Sequence, residues 1–156
     1  MPTVEVSFSA LPAHVRTARL IALAVARRAG VDDQLLDEVR LAVGEACSRA
    51  VHVHQGLAPR DPIVMRLTDE QDKFSVQVLD KGAFEETAEA AADLGELDPQ
   101  ALAVEASESS QDLLPPGFGL AVISGLVEDV SVTADTAGTS VRMTWPATDL
   151  MAPDAP

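Results

Sequence analysis

An α+β two-layer sandwich, a mixed sheet with helices on one face, is the fold that this sequence predicts. Three observations lead there. Residues 12–29 and 33–55 repeat apolar side chains at helical spacing. Short stretches at 3–9, 63–68, 73–79, 127–134 and 140–145 alternate with period two. They come in the order β-α-α-β-β, a long acidic connection, then α-β-β. A chain of 156 residues suits one domain with a substantial core.

In the first stretch Val4, Val6 and Phe8 alternate with Glu5, Ser7 and Ser9, the mark of a strand with one buried face. Pro12 suits a helix start, and Leu11, Val15, Ala18, Ala22, Val25 and Ala29 form its stripe. Gly30 is a C-cap, with Arg27 and Arg28 favourable in the last turn. Asp32 or Asp33 caps the next helix, which Gly56 and Pro59 should end. Leu35, Val39, Ala42, Ala46 and Ala50 run down its apolar face, and Glu38, Glu45, Arg49 and His52 gather on the other side. Strands at 63–68 and 73–79, joined by a polar turn, predict a hairpin. Residues 85–112 carry nine acidic residues and no basic one, and read as a loop rather than a second domain. Pro115 and Pro116 close it; a helix then runs to about Leu126, and a hairpin turn at Asp135–Gly138 joins the last two strands. One domain over 1–146 is expected, with the loop at 85–116 and an unstructured tail at 147–156.

The formal net charge of −14 disfavours nucleic acid and anionic membranes as partners. The single Cys47 excludes an internal disulfide framework and fits a reducing compartment. Neither a signal peptide nor an apolar run of about 20 residues is visible, so a cytoplasmic protein is expected. His52 and His54, two apart on a helix, point to different sides, and neither they nor His14 belong to a ligand-spaced cluster, so no metal site is predicted from side chains alone. Cys47 lies on the apolar stripe, and Trp145 on a strand face.

Three short motifs carry chemistry. Gly117-Phe118-Gly119-Leu120 precedes an apolar helix, where paired glycines permit a close backbone approach and a helix start presents N–H groups to a phosphate. Glu45 sits in the long helix with Arg49 four residues on, a spacing that also suits an ordinary i,i+4 ion pair. Asp80-Lys81-Gly82 closes a strand, which is also what a plain turn looks like.

With these motifs in this order, the chain resembles the histidine-kinase-type ATPase fold, also called the GHKL or Bergerat fold. It is most similar to the small anti-sigma serine kinases of the SpoIIAB and RsbW type, over about residues 5 to 145. The resemblance implies that Glu45 is the general base or water and serine positioner. It implies that Asp80 accepts from the adenine amino group, that Gly82 allows close approach, and that Thr139 lies near the adenine. Gly117, Gly119 and Leu120 match the second glycine box, which contacts phosphates. ATP or ADP is the implied nucleotide. Arg49 stands where the family has an asparagine that helps hold Mg²⁺; a guanidinium has no acceptor, so the expectation is weak or lost kinase activity, with Arg49 either meeting phosphates directly or pairing with Glu45. Segment 85–112 occupies the place of the ATP lid, and is read as a lid that stays open or as a partner-binding segment that folds on a basic surface.

The implied function is an anti-sigma-factor-like regulator that binds a sigma factor or an antagonist of the STAS class. A homodimer through the first strand and helix is implied as well. The alternatives are an active ATP-dependent serine protein kinase and a nucleotide-free scaffold with another partner.

Overall fold

The structure, a computed structural model, describes residues 2–82, 123, 125, 127 and 129–148. In chain order the elements are β1 (Thr3–Phe8), α1 (Pro12–Ala29), α2 (Asp33–Leu57), β2 (Ile63–Asp69), β3 (Lys73–Asp80), β4 (Asp129–Asp135) and β5 (Gly138–Pro146). The strands lie in the order β1-β2-β3-β5-β4. Each described pairing is antiparallel, which corrects the expected mixed sheet. The reason lies in the connections. Two tight turns make hairpins of β2–β3 and β4–β5, and the α1–α2 pair carries the chain away and back, so that Ile63 starts β2 opposite Phe8 at the end of β1.

Local chemistry sets the helix limits. Pro12 opens α1, and Gly30 ends it at φ 91°. The N–H groups of Gly30 and Val31 return to the carbonyls of Arg27 and Ala26 at 3.1 and 3.0 Å, a Schellman closure. Asp32 caps α2 by accepting from the N–H of Gln34 at 2.8 Å. Contrary to the expectation from the sequence, Gly56 does not stop α2; the helix continues to Leu57, and the N–H of Ala58 closes on the His54 carbonyl at 2.8 Å. One glycine costs a helix only about 1 kcal/mol, too little by itself to end it.

The core lies between the helices and one face of the sheet. Period two turns Ile63, Met65 and Leu67 of β2, Phe74, Val76 and Val78 of β3, and Val141, Met143 and Trp145 of β5 inward, all buried. They meet Val39, Val43, Cys47 and Ala50 of α2 in one apolar cluster. Alanines 18, 22, 26 and 29 form the buried stripe of α1. Phe74 and Trp145 stack at 6.1 Å, and the Trp145 Nε1–H donates to Glu38 at 3.2 Å. The outer face is polar, as in the Arg66–Glu5 and Arg142–Glu70 pairs. Ile123 and Gly125 have helical backbone, and the N–H of Val127 bonds to the Ile123 carbonyl, at the place expected for the late helix. Past β5, Ala147 and Thr148 donate backbone hydrogen bonds to Asp72 and Gly30, so the chain stays docked two residues beyond the expected domain end.

Two glycines make opposite predictions. At Gly138, φ is +144° and an added Cβ would sit 2.0 Å from the Asp80 carbonyl oxygen. Gly138→Ala is expected to cost about 2 kcal/mol or more. Gly56 faces open space, so Gly56→Ala should stabilise by about 0.5 kcal/mol. Urea midpoints of the two variants against the parent check both signs.

Candidate functional site

The inward register of β3 runs Phe74, Val76, Val78 and then Asp80, so period two carries a carboxylate into the helix–sheet interface. A buried charge there needs partners. Arg49 of α2 supplies one: its Nη1–H donates to Asp80 Oδ2 at 2.6 Å, with the two side chains 4% and 0% exposed. The N–H of Gly82 donates to the other oxygen, Oδ1, also at 2.6 Å. Gly82 must be a glycine for this turn, since a Cβ would lie 2.7 Å from Asp80 Oδ1 and 2.8 Å from Val53 Cγ1. Thr139, opposite Asp80 in the β3–β5 register, donates its hydroxyl to the Gly82 carbonyl at 3.0 Å. Arg49, Asp80, Gly82 and Thr139 thus form one buried hydrogen-bonded unit.

His54 fixes this unit to the rest of the fold. Its Nε2 accepts from the N–H of Lys81 at 3.0 Å, so its Nδ1 carries the proton and donates to the Asp61 carbonyl at 2.9 Å. The neutral imidazole therefore ties the last turns of α2 to the end of β3 and the start of β2. Lys81 and Asp61 pair again through their side chains at 3.1 Å. His54 gave no site signal in the sequence, since its two backbone partners lie 7 and 27 residues away.

Glu45 lies one turn before Arg49 on α2, and burial raises its carboxyl from 4.5 to about 7, against the opposing pull of the Arg19 guanidinium. Arg19 comes from α1 and its stem crosses α2 at Gly44, where a Cβ would lie 2.8 Å from Arg19 Cδ. A carboxyl at about 7 is matched to proton transfer near neutrality. The same burial pushes the Cys47 thiol up to about 12, which leaves Cys47 an unreactive core residue.

The polar cluster expected on α2 is dispersed. Glu38 bonds Trp145, His52 is exposed, and Arg49 reaches across to Asp80 rather than serving Glu45 as a surface pair. The helix is 25 residues long, so these positions span more than three turns and meet different neighbours. Gly117, Gly119 and Leu120, and the acidic segment 85–112, lie outside the described residues. A cavity of about 250 Å³ at this end of the sheet is lined by Asp80 and Thr139 together with Val64, Leu79, Thr133 and Ser140.

The donor set does not fit a divalent cation. Arg49 offers N–H groups and no lone pair, and brings a positive charge. Among the described residues no group of three or more His, Cys, Asp or Glu side chains is placed to share a metal ion.

The raised carboxyl makes a signed prediction. A folded-state pKa of about 7 against 4.5 means that the folded chain binds the Glu45 proton more tightly. Its contribution to stability is full below pH 4.5 and is lost as pH rises through about 7. Glu45→Gln should therefore gain stability relative to the parent over that window and hold a constant difference above it, as read from denaturation midpoints. Arg19→Met removes the opposing charge and should move the NMR titration midpoint of Glu45 further up.

Comparison with known proteins agrees with the fold. The family described as the histidine kinase-like ATPase domain matches residues 8–145. The serine-protein kinase RsbW of Bacillus pumilus is 30% identical over 143 residues, covering 90% of this chain and 83% of its own length. The proteins of the same name from Bacillus subtilis (strain 168) and Listeria monocytogenes (strain EGD-e) are 28% and 29% identical, each over 90% of this chain and 83% and 85% of their own. Among solved structures, the RsbU and RsbW domains of a Mycobacterium tuberculosis protein superpose with a TM-score of 0.60 at 18% identity, over 97% of this chain. This chain spans about a third of that one (35%), and the likeness is one of fold. The chain belongs to the histidine kinase-like ATPase domain family, with RsbW-type serine-protein kinases as its relatives.

Proposed function

We propose that this chain is a regulator of the RsbW type, which binds ATP at the Asp80 end of the helix–sheet interface and phosphorylates a serine of a partner protein. The observation that carries this reading is Glu45, a half-buried carboxyl held at about 7 one turn from the buried Arg49–Asp80–Gly82 unit. The names of the relatives support it, since each is called a serine-protein kinase. They favour phosphotransfer over the loss of activity expected from Arg49. In this reading Asp80 and Thr139 meet the adenine, Gly117, Gly119 and Leu120 meet the phosphates, and Glu45 takes the serine proton. The partner proposed is a STAS-type antagonist, with a sigma factor as the protein ultimately controlled. A homodimer through β1 and α1 belongs to the same reading, and the exposure of Val4 (42%), Leu11 (51%) and Leu20 (59%) there is compatible with it. A cytoplasmic site of action is part of the proposal.

One observation favours a second reading, binding without phosphotransfer. Arg49 stands in the metal-ligand position and is engaged with Asp80, the residue assigned to the base. The test is incubation with radiolabelled ATP and a STAS-domain protein bearing an acceptor serine. Phosphoserine is the expected product, and Glu45→Ala should reduce its rate by about a hundredfold or more. A stoichiometric complex without label transfer supports the second reading and overturns the first.

A further inference from the structure

We propose that His54 is a positioning residue for base recognition: through the Lys81 backbone N–H it sets the turn that the nucleotide base meets. This rests on the ATP reading above, in which the Asp80 end of the helix–sheet interface holds the adenine.

The β3–β5 register ends at the Asp80–Thr139 pair, so the turn beyond it must find other hydrogen-bond partners. Side chains supply them. The Lys81 N–H donates to His54 Nε2 at 3.0 Å, and the Gly82 N–H to Asp80 Oδ1 at 2.6 Å. The Gly82 carbonyl accepts from the Thr139 hydroxyl at 3.0 Å. Asp80 and Thr139 are the groups assigned to the base. His54 is the one of these three side chains that comes from the helix layer, so it fixes where the turn stands relative to α2.

The ring is itself held still. His54 is fully buried, and both of its ring nitrogens are engaged. Its Nδ1–H donates to the Asp61 carbonyl at 2.9 Å, which leaves Nε2 as an acceptor and fixes one tautomer. Its own carbonyl accepts from the Ala58 N–H where α2 ends. An imidazole locked in this way carries the position of α2, and of the residues that lead into β2, to the Lys81 peptide. The Lys81–Asp61 side-chain pair spans the same two segments, but it is about half exposed, and exposed ion pairs hold geometry weakly. Loss of the ring therefore leaves the Lys81 N–H without its acceptor and the turn free to reorient, while Asp80 and Thr139 both remain.

Calorimetric titration of the full chain with ATP and with inosine triphosphate, which has a carbonyl in place of the adenine amino group, tests this. The parent is expected to prefer ATP. His54→Leu removes both ring nitrogens and should weaken ATP binding by about tenfold or more, with less than about a threefold change for inosine triphosphate. His54→Gln offers an amide oxygen and an N–H in place of the two nitrogens and should keep the preference within about threefold of the parent. A merely structural His54 lowers the denaturation midpoint and leaves the preference of the folded protein unchanged; that result overturns the proposal and leaves the ATP reading standing. An equal loss for both nucleotides, or a parent that binds both equally, overturns it as well. Absence of binding of either nucleotide by the parent overturns the ATP reading, and this proposal with it. Folding of each variant is checked by near-UV circular dichroism. Where His54→Leu fails to fold, His54→Asn, too short to reach Lys81, is read in the same way. Where neither folds, hydrogen exchange at the Lys81 amide of the parent decides: ATP should slow it about tenfold more than inosine triphosphate does, and equal slowing overturns the proposal.

Discussion

A buried carboxylate at the end of the third strand is the constraint to which this part of the molecule answers. Once the register of β3 carries Asp80 inward behind Phe74, Val76 and Val78, the interface must hold a charge in a medium that solvates it poorly. Two donors at 2.6 Å hold it: the Arg49 guanidinium from α2 and the Gly82 N–H from the following turn. Each imposes a further condition. Arg49 sets how α2 lies against the sheet. Gly82 excludes a side chain, and its carbonyl in turn is fixed by Thr139 from β5. His54 adds a second brace between the same helix and strand end. The result is a rigid corner in which helix, turn and two strands share one polar network.

In the proposed reading that corner forms one wall of the nucleotide site, with its polar groups fixed before any ligand arrives. Glu45 lies just before it on α2, in surroundings that hold its proton to about pH 7. Arg19 tempers the effect from the neighbouring helix, and Gly44 is the residue that lets its stem pass. The two arginines thus have different tasks. Arg19 adjusts a proton affinity across the α1–α2 contact, whereas Arg49 pairs with the carboxylate at the base of the site.

The architecture was largely legible in the sequence because it is written in periods and caps. The alternation of Ile63, Met65 and Leu67 places β2, the Gly30 signal ends α1 at the residue expected, and Asp32 caps α2. The expected end of α2 at 55 came two residues early, because a single glycine costs a helix only about 1 kcal/mol and does not by itself stop it. The mixed sheet was misjudged because strand direction depends on connections that period alone does not reveal. Glu45, Asp80, Gly82 and Thr139 stood out in the sequence by type and order, and the structure brings the last three into one hydrogen-bonded unit. The partner of Arg49 did not stand out. It lies 31 residues away, and the visible candidate at i−4 was Glu45. Arg19 carried no local signal at all, since its importance arises from a helix crossing.

Arg49 and Asp80 act as one unit, and a double-mutant cycle measures their coupling. Arg49→Met, Asp80→Asn and the double variant would be compared with the parent by urea denaturation. Each single change removes one charge of a buried ion pair and should cost about 3 kcal/mol or more. The double change should cost clearly less than the two together, with a coupling of about 2 kcal/mol or more. Additive losses within about 0.5 kcal/mol would show that the two residues do not depend on each other, and would contradict this account of the site.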